Sequence, residues 1–322
     1  MIDVRAVTKI LREGSRFLCT MHKGPDGDGI GSAMALAAAV RAMGKTAVVY
    51  SEDGVPRMYH FLRGADRVVR EVSSADRWDA TFVFDCGDLT RMGSHFPPKE
   101  RAGVLVNFDH HVTNTRFGDL NVIDDHAAAV GEMVYHVVNA LGVTLDREMA
   151  EAMYVSITSD TGSFKYSNTR PETMRVAADC LAAGADPWLC AQRVFDDQPL
   201  AKLRLTALVL PTLELHADGK IASLVISSEM FAASGADQEL TEGLVNYARS
   251  VEGVEAAVLV RETPTPGTCK VSLRSRGTVD VAATSLVFGG GGHRAAAGAT
   301  VKGSLVDIKN RVVAALISQI RA

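Results

Sequence analysis

Up to Ala183, short apolar runs alternate with longer stretches whose apolar positions recur at helical spacing, the pattern of βα units that build a mainly parallel sheet. Strands are predicted over residues 17–20, 46–50, 81–84 and 104–108, and helices over 30–43, 128–141, 147–159 and 171–183. Pro171 opens the last of these helices, where its fixed φ and missing N–H suit a first turn. From Gly184 to Pro211, Pro187 and Pro199 punctuate helical pieces that join two halves of the chain. Strand patterns return over 221–226, 256–260 and 270–273, with helical patterns over 238–250 and 306–320. The expected division is a first domain at 1–187, a helical linker at 188–211 and a second, smaller α/β domain at 212–322.

A length of 322 residues exceeds what one hydrophobic core usually organises, which supports two domains. Hydrophobic residues at 47% and charged residues at 22% match ordinary globular usage and exclude a disordered or fibrous class. With a net charge of −4 there is no global basic field to hold long nucleic acid, so a polyanionic substrate has to be captured locally, by metals or a small cationic pocket. Cys19, Cys86, Cys180, Cys190 and Cys269 are widely spaced and form no C-x-x-C pair, which reads as reduced thiols in a reducing compartment. Residues 1–20 interleave Asp3, Arg5, Lys9, Arg12, Glu13 and Arg16 among apolar positions, and no stretch is apolar over the ~18 residues a bilayer requires. The expectation is a cytoplasmic protein with no membrane partner.

Three of the predicted strands run directly into metal-binding side chains, at the C-terminal ends where open α/β sheets place their ligand sites. His22, Asp26 and Asp28 follow the first strand on a glycine-rich turn that opens a helix. Asp85-Cys86-Gly87-Asp88 follows the third, Asp109-His110-His111 the fourth, and Asp160 closes a predicted helix. Mixed carboxylate and imidazole donors suit Mn2+ better than Mg2+, and the lack of sulfur beyond Cys86 disfavours structural zinc. So many converging ligands are satisfied more readily by two ions than by one, a recurrent arrangement for phosphoester hydrolysis.

Each motif alone has an ordinary explanation: turn aspartates and glycines, a helix cap at Asp85, a surface histidine pair. Independent coincidences at all four positions are a poor account of the pattern. A dinucleotide-binding reading of Gly27-x-Gly29-x-Gly31 fails on spacing, and Asp26 and Asp28 would repel a pyrophosphate. Asp88 is read as structural or as a residue that orients a ligand, Asp124-Asp125 as the cap of the helix beginning near Ala128, and His60, His95, His126, His136 and His216 as ordinary surface or core residues.

His22-x-x-x-Asp26-x-Asp28, Asp85, Asp109-His110-His111 and Asp160 resemble, in order, the four signature motifs of the DHH phosphoesterase superfamily. Ser272-Leu273-Arg274-Ser275-Arg276-Gly277 and the run from Gly289 to Gly298 resemble the RS and GGGH motifs of the DHH-associated domain. Together they are similar to the nanoRNase/pAp phosphatase subfamily. The resemblance implies a mainly parallel-sheet DHH domain with flanking helices, a DHH-associated domain with a mixed sheet, and an active site in the cleft between them. It implies two divalent ions, Mn2+ foremost, held by His22, Asp26, Asp28, Asp85, His110 and Asp160, with Asp85 as the bridge. Asp109 would orient His110 through its other ring nitrogen, and His111 would face the scissile phosphate, so that His111, Asp85 and Asp109 carry catalysis. Arg274, Ser275, Gly290, Gly291, Gly292, His293 and Arg294 would bind substrate, the glycine run being read as backbone that approaches a ligand closely.

The implied activity is hydrolysis of very short RNA or DNA oligonucleotides, about two to five nucleotides long, and removal of the 3′-phosphate of pAp, by an enzyme for which a homodimer is plausible. The same motifs are compatible with a signalling phosphodiesterase that cleaves cyclic or linear dinucleotides. A RecJ-like single-strand exonuclease would bring further domains, and the glycine run argues against an inorganic pyrophosphatase. From another class, a catalytically dead nucleotide-binding sensor is argued against by a ligand-type residue at every motif position.

Overall fold

The computed structural model describes residues 4–277 and 279–320, which form two compact units, Met1–Asp197 and Gln198–Ala322. The first is built on five parallel strands, β1 (Arg16–Met21), β2 (Thr46–Tyr50), β3 (Ala80–Phe84), β4 (Val104–Asp109) and β5 (Leu120–Ile123), in the order β2-β1-β3-β4-β5. Its helices are α1 (Arg5–Glu13), α2 (Gly27–Ala42), the short α3 (Lys99–Ala102), α4 (Val130–Leu141), α5 (Arg147–Asp160), α6 (Pro171–Ala182) and α7 (Pro187–Ala191). The parallel sheet carries near-continuous apolar runs because both its faces are covered: β3 is buried at every position. Phe17, Phe82, Phe84 and Phe108 from three neighbouring strands pack ring against ring in its core.

Helix α2 is buried along almost its whole length and packs on β1, β2, α4 and α5, which is why its sequence is apolar all round rather than amphipathic. Glycines let it approach α5 so closely: a Cβ at Gly31 would collide with the carbonyl oxygen of Ala152, and one at Gly131 of α4 with the Ser156 hydroxyl. The predicted strands and helices of this unit are all present, with boundaries shifted by a few residues. Helix α1 and edge strand β5 were not expected, the former because it is short and fully buries few apolar side chains, Val7 and Leu11, the latter because it is short and half-buried.

The second unit contains α8 (Leu200–Val209), α9 (Ser228–Ser234), α10 (Val245–Ser250), α11 (Val281–Val287) and α12 (Leu305–Ile320). Its strands are β6 (Glu214–His216), β7 (Ile221–Ile226), β8 (Ala256–Glu262), β9 (Thr268–Ser275), β10 (Gly291–His293) and β11 (Ala296–Lys302). They form one mixed sheet in the order β10-β11-β9-β8-β7-β6, parallel at β7–β8 and antiparallel elsewhere. One face packs on α12, the other on α8 and α10. The single helix expected over 238–250 is a 3-10 turn at Glu239–Thr241 followed by α10. Gly243 separates them in the left-handed region at φ +83°, a conformation that no helix interior tolerates. No helix among the described residues is long and apolar enough to cross a membrane.

Candidate metal centre

The first motif begins where β1 ends. Asp26 caps α2, its Oδ1 accepting the backbone N–H groups of Asp28 and Gly29, both at 3.1 Å. This leaves Oδ2 turned toward His22 Nε2, 3.8 Å away. His22 Nδ1 donates to its neighbour's carbonyl, Lys23 O, at 2.8 Å, a bond that fixes the tautomer and presents Nε2 to the carboxylates. Outside the motif, Asp53 accepts the Gly24 N–H at 2.7 Å and Glu52 pairs with Lys23 at 3.0 Å, so the loop after β2 holds the ligand loop after β1.

Asp85, at the end of β3, has a left-handed backbone with φ +52°, rare for a residue with a Cβ and typical of functional sites. Its Oδ2 lies 3.3 Å from His22 Nε2, and its Oδ1 lies 3.7 Å from His110 Nε2 and 3.3 Å from His111 Nδ1. That Oδ1 is buried and accepts no hydrogen bond among the described residues. A buried carboxylate oxygen left in this state is costly unless a cation completes it.

His110 repeats the arrangement of His22. Its Nδ1 donates to Ala127 O at 3.0 Å, and Nε2 faces Asp160 at 3.2 Å and Asp28 at 3.7 Å. The expectation that Asp109 orients His110 is therefore corrected. Asp109 Oδ1 accepts the backbone N–H of His110, and its ring partner is His111, whose Nδ1 lies 2.6 Å away. The reason is local: a carboxylate that caps the turn after β4 is already placed beside the second histidine, while the first swings toward the backbone before α4. Asn114 completes the arrangement, its amide donating to Asp109 Oδ2, to Asn107 Oδ1 at 2.8 Å and to Cys86 O at 3.2 Å.

Asp28 is fully buried and heavily hydrogen-bonded. It accepts the N–H of Val130 at 2.8 Å and of Gly131 at 3.3 Å, and the hydroxyls of Ser156 at 2.5 Å and Ser32 at 3.1 Å. The N-terminus of α4 is thus capped by Asp28 and not by Asp124-Asp125; Asp124 instead closes its own turn by accepting His126 N–H at 3.0 Å. Burial, and then the charges of Asp85 and Asp160, push the Asp28 carboxyl well above its ordinary value. Burial works against the charged forms of His22 and His110, but bonds and charge from the facing carboxylates outweigh it and raise both well above the usual imidazole value. Without a metal the cluster attracts protons, the electrostatic signature of a site made for cations.

Three donor sets lie close enough for each to hold an ion: His22 with Asp26 and Asp85, Asp28 with His110 and Asp160, and Asp85 with His110 and His111. The six ligand-type residues read from sequence are brought together, with Asp85 shared between sets. Cys86 stays apart, its thiol bonded to Asp88 O at 3.2 Å and pushed up by burial to about 12. Asp88 caps the turn at Thr90. Asn114 and Ser156 were missed, since neither belongs to a ligand-type pattern.

In the second unit, Arg274 lies on β9 with its guanidinium 3.9 Å from Glu242. Ser275 points to the opposite, buried face, where its hydroxyl accepts the Gly277 N–H at 3.1 Å. Arg294 Nε donates to Gly277 O at 3.2 Å, and the side chain of His293 lies outside the described residues. The glycine run has an internal cause the sequence reading did not weigh. A Cβ at Gly290 would strike Gly298 O and the Ser285 hydroxyl, and one at Gly292 would strike Ala296 O; only Gly291 and Gly289 face open space.

Residues 16–157 match the model of the DHH family N-terminal domain, and residues 219–322 match that of the DHHA1 domain. The bifunctional oligoribonuclease and PAP phosphatase NrnA of Thermus thermophilus is 35% identical over 306 residues, which cover 94% of this chain and 90% of that one. Its namesake from Bacillus subtilis is 25% identical over 283 residues, 87% of each chain. The fold is shared with an exopolyphosphatase-related protein of Bacteroides fragilis, at a TM-score of 0.92, 23% identity and coverage of 100% of this chain and 98% of that one. With both domains matched in order and the four motifs brought together in the first unit, the chain belongs to the DHH phosphoesterase family, in the group of bifunctional oligoribonucleases and PAP phosphatases.

Proposed function

We propose that this chain is a hydrolase that cleaves very short oligonucleotides, about two to five nucleotides long, to mononucleotides and removes the 3′-phosphate of pAp, with two divalent ions, Mn2+ foremost. The observation that carries the reading is the sharing of Asp85 between donor sets, with its Oδ1 buried and unbonded. His22, Asp26 and Asp85 would hold one ion, and Asp28, His110, Asp160 and Asp85 the other. Ions bound there supply charge for phosphoryl oxygens and lower the pKa of water.

The chain's own residues do the rest. The backbone acceptors Lys23 O and Ala127 O keep both ligand imidazoles in one tautomer. Asp109 holds the proton on His111 Nδ1, and although burial opposes it, that bond raises the His111 pKa, which suits a cationic donor to a phosphoryl oxygen. His111 also lines a cavity of about 140 Å3 together with Asn114 and Arg116, room for a small polar group beside the reacting phosphate. Arg274, Arg294 and His293 are assigned to substrate binding in the second unit, with Gly291 the member of the glycine run that leaves space for a ligand.

The test is a panel with Mn2+: initial rates on a dinucleotide, a pentanucleotide and a strand of about twenty-four nucleotides at matched 5′-end concentration, with phosphate release from pAp. The short substrates and pAp are expected to react fastest. Processive digestion of the long strand at the dinucleotide's rate, with pAp untouched, would overturn the reading in favour of a RecJ-like exonuclease. Preference for a cyclic dinucleotide would favour the signalling alternative.

A further inference from the structure

One donor set, Asp28 with His110 and Asp160, draws its ligands from three separate places in the fold. Asp28 is fixed by the N–H groups that open α4, and His110 by the Ala127 carbonyl. Asp160 is the last residue of α5. At that end of a helix the dipole disfavours a carboxylate, and the final carbonyls have no helical partner. Asn168 supplies the tie. Its Nδ2 donates to Asp160 O and to Ala128 O, both at 3.1 Å. One amide nitrogen, using both its hydrogens, thus joins the end of α5 to the segment whose neighbouring carbonyl orients His110. The Asn168 Oδ1 is buried and accepts no hydrogen bond among the described residues. An unmet buried acceptor costs stability, so the side chain contributes through its two donors.

The chain on either side holds that amide in place. Gly162, Ser163 and Phe164 follow Asp160 with successive left-handed residues, at φ +55°, +60° and +64°. Residues with a Cβ rarely adopt this conformation, and it persists only where the surroundings over-determine it. Here the Phe164 N–H donates to Thr161 Oγ1 at 3.0 Å, and the Thr161 carbonyl accepts the N–H groups of Lys165 and Tyr166, both at 3.0 Å. Beyond Asn168, Arg170 pairs with the buried Glu132 of α4 at 3.3 Å, and its N–H donates to Thr173 Oγ1 at 3.1 Å. Asn168 therefore stands between two anchored segments, and its amide acts as a strut between ligand-bearing elements.

We propose that Asn168 is a positioning residue for the ion of the Asp28, His110 and Asp160 set: it fixes the span between Asp160 and the segment that orients His110, without itself touching the ion. The proposal rests on the function proposed above in one respect, that ions occupy the cluster. It adds a selectivity that the ligands alone do not imply, because the other set, His22 with Asp26 and Asp85, has no bond to this strut among the described residues.

The test uses the full chain and reads metal binding apart from activity. Mn2+ binding isotherms and electron paramagnetic resonance are compared for wild type, Asn168→Ala, Asp26→Asn and Asp160→Asn. Phe164→Leu serves as a control that loosens the same segment and leaves the amide in place. Wild type is expected to bind two ions with spin coupling between them. Asn168→Ala is expected to keep one ion at wild-type affinity and to bind the other about 10–100-fold more weakly. At low Mn2+ its single-ion spectrum should match that of Asp160→Asn and differ from that of Asp26→Asn, and raising Mn2+ should restore the coupling and the rate. If Asn168→Ala does not fold, Asn168→Ser, which keeps one donor, replaces it, with the same pattern expected at smaller amplitude. Two ions bound as tightly in the variant as in wild type would overturn the assignment, as would a single-ion spectrum that matches Asp26→Asn. Equal weakening in Phe164→Leu at the same loss of melting temperature would overturn it too, since the effect would then be one of stability. If wild type binds a single ion, the two-ion reading fails. The positioning role then stands if that ion is weakened in Asn168→Ala but not in Phe164→Leu, and falls if it is not.

Discussion

Asp109 accepts His111 Nδ1 at 2.6 Å through one carboxylate oxygen and the Asn114 amide through the other, so a single side chain sets the rotation of the histidine. Asp109→Asn keeps the shape but removes the charge that holds the Nδ1 proton. It is expected to lower kcat by about 10–100-fold, with metal content retained. His111→Ala should cost at least as much. Steady-state rates beside metal analysis decide it; loss of metal in Asp109→Asn would place the residue in the ion-binding set instead.

Asp85 and His110 stand in more than one donor set, so Asp85→Ala or His110→Ala is expected to abolish hydrolysis and lower Mn2+ occupancy while the fold persists. Activity near wild type in metal-replete buffer would sink the shared-ligand assignment. Circular dichroism and elemental analysis on the same preparations separate unfolding from loss of metal.

Gly31 sits where α2 meets the backbone of α5, and a Cβ there would collide with the Ala152 carbonyl oxygen. Gly31→Ala is therefore expected to destabilise the chain by about 1–3 kcal/mol despite alanine's better helix propensity. Because Asp28 and Ser156 lie on these two helices, activity should fall with stability. Chemical denaturation measures the first, and a variant as stable as wild type would show that the helices can part without cost.

Glu52 accepts the His95 N–H at 3.1 Å and pairs with Lys23 at 3.0 Å, and these contacts hold its carboxyl down to about 2. A depressed folded-state pKa gives stability that is complete above the unfolded value of 4.5 and is lost as pH falls toward 2. Glu52→Gln should thus be less stable than wild type at neutral pH, with the gap closing at low pH. Denaturation midpoints across the range test this; a gap constant with pH would assign the effect of Glu52 to packing rather than to its charge.

The parallel order of the first sheet and the gathering of its ligands were legible in the sequence, because βα alternation puts each strand's C-terminal end on one edge, and His22, Asp85 and Asp109 each follow a strand. The partners of those ligands were decided by tertiary structure alone. Ser156 reaches Asp28 across 128 residues, and Ala127 orients His110 through a carbonyl oxygen that every residue type possesses. Neither contact leaves a residue-type signal, and the same holds for Gly290 and Gly292, whose small size answers to their own neighbouring strand.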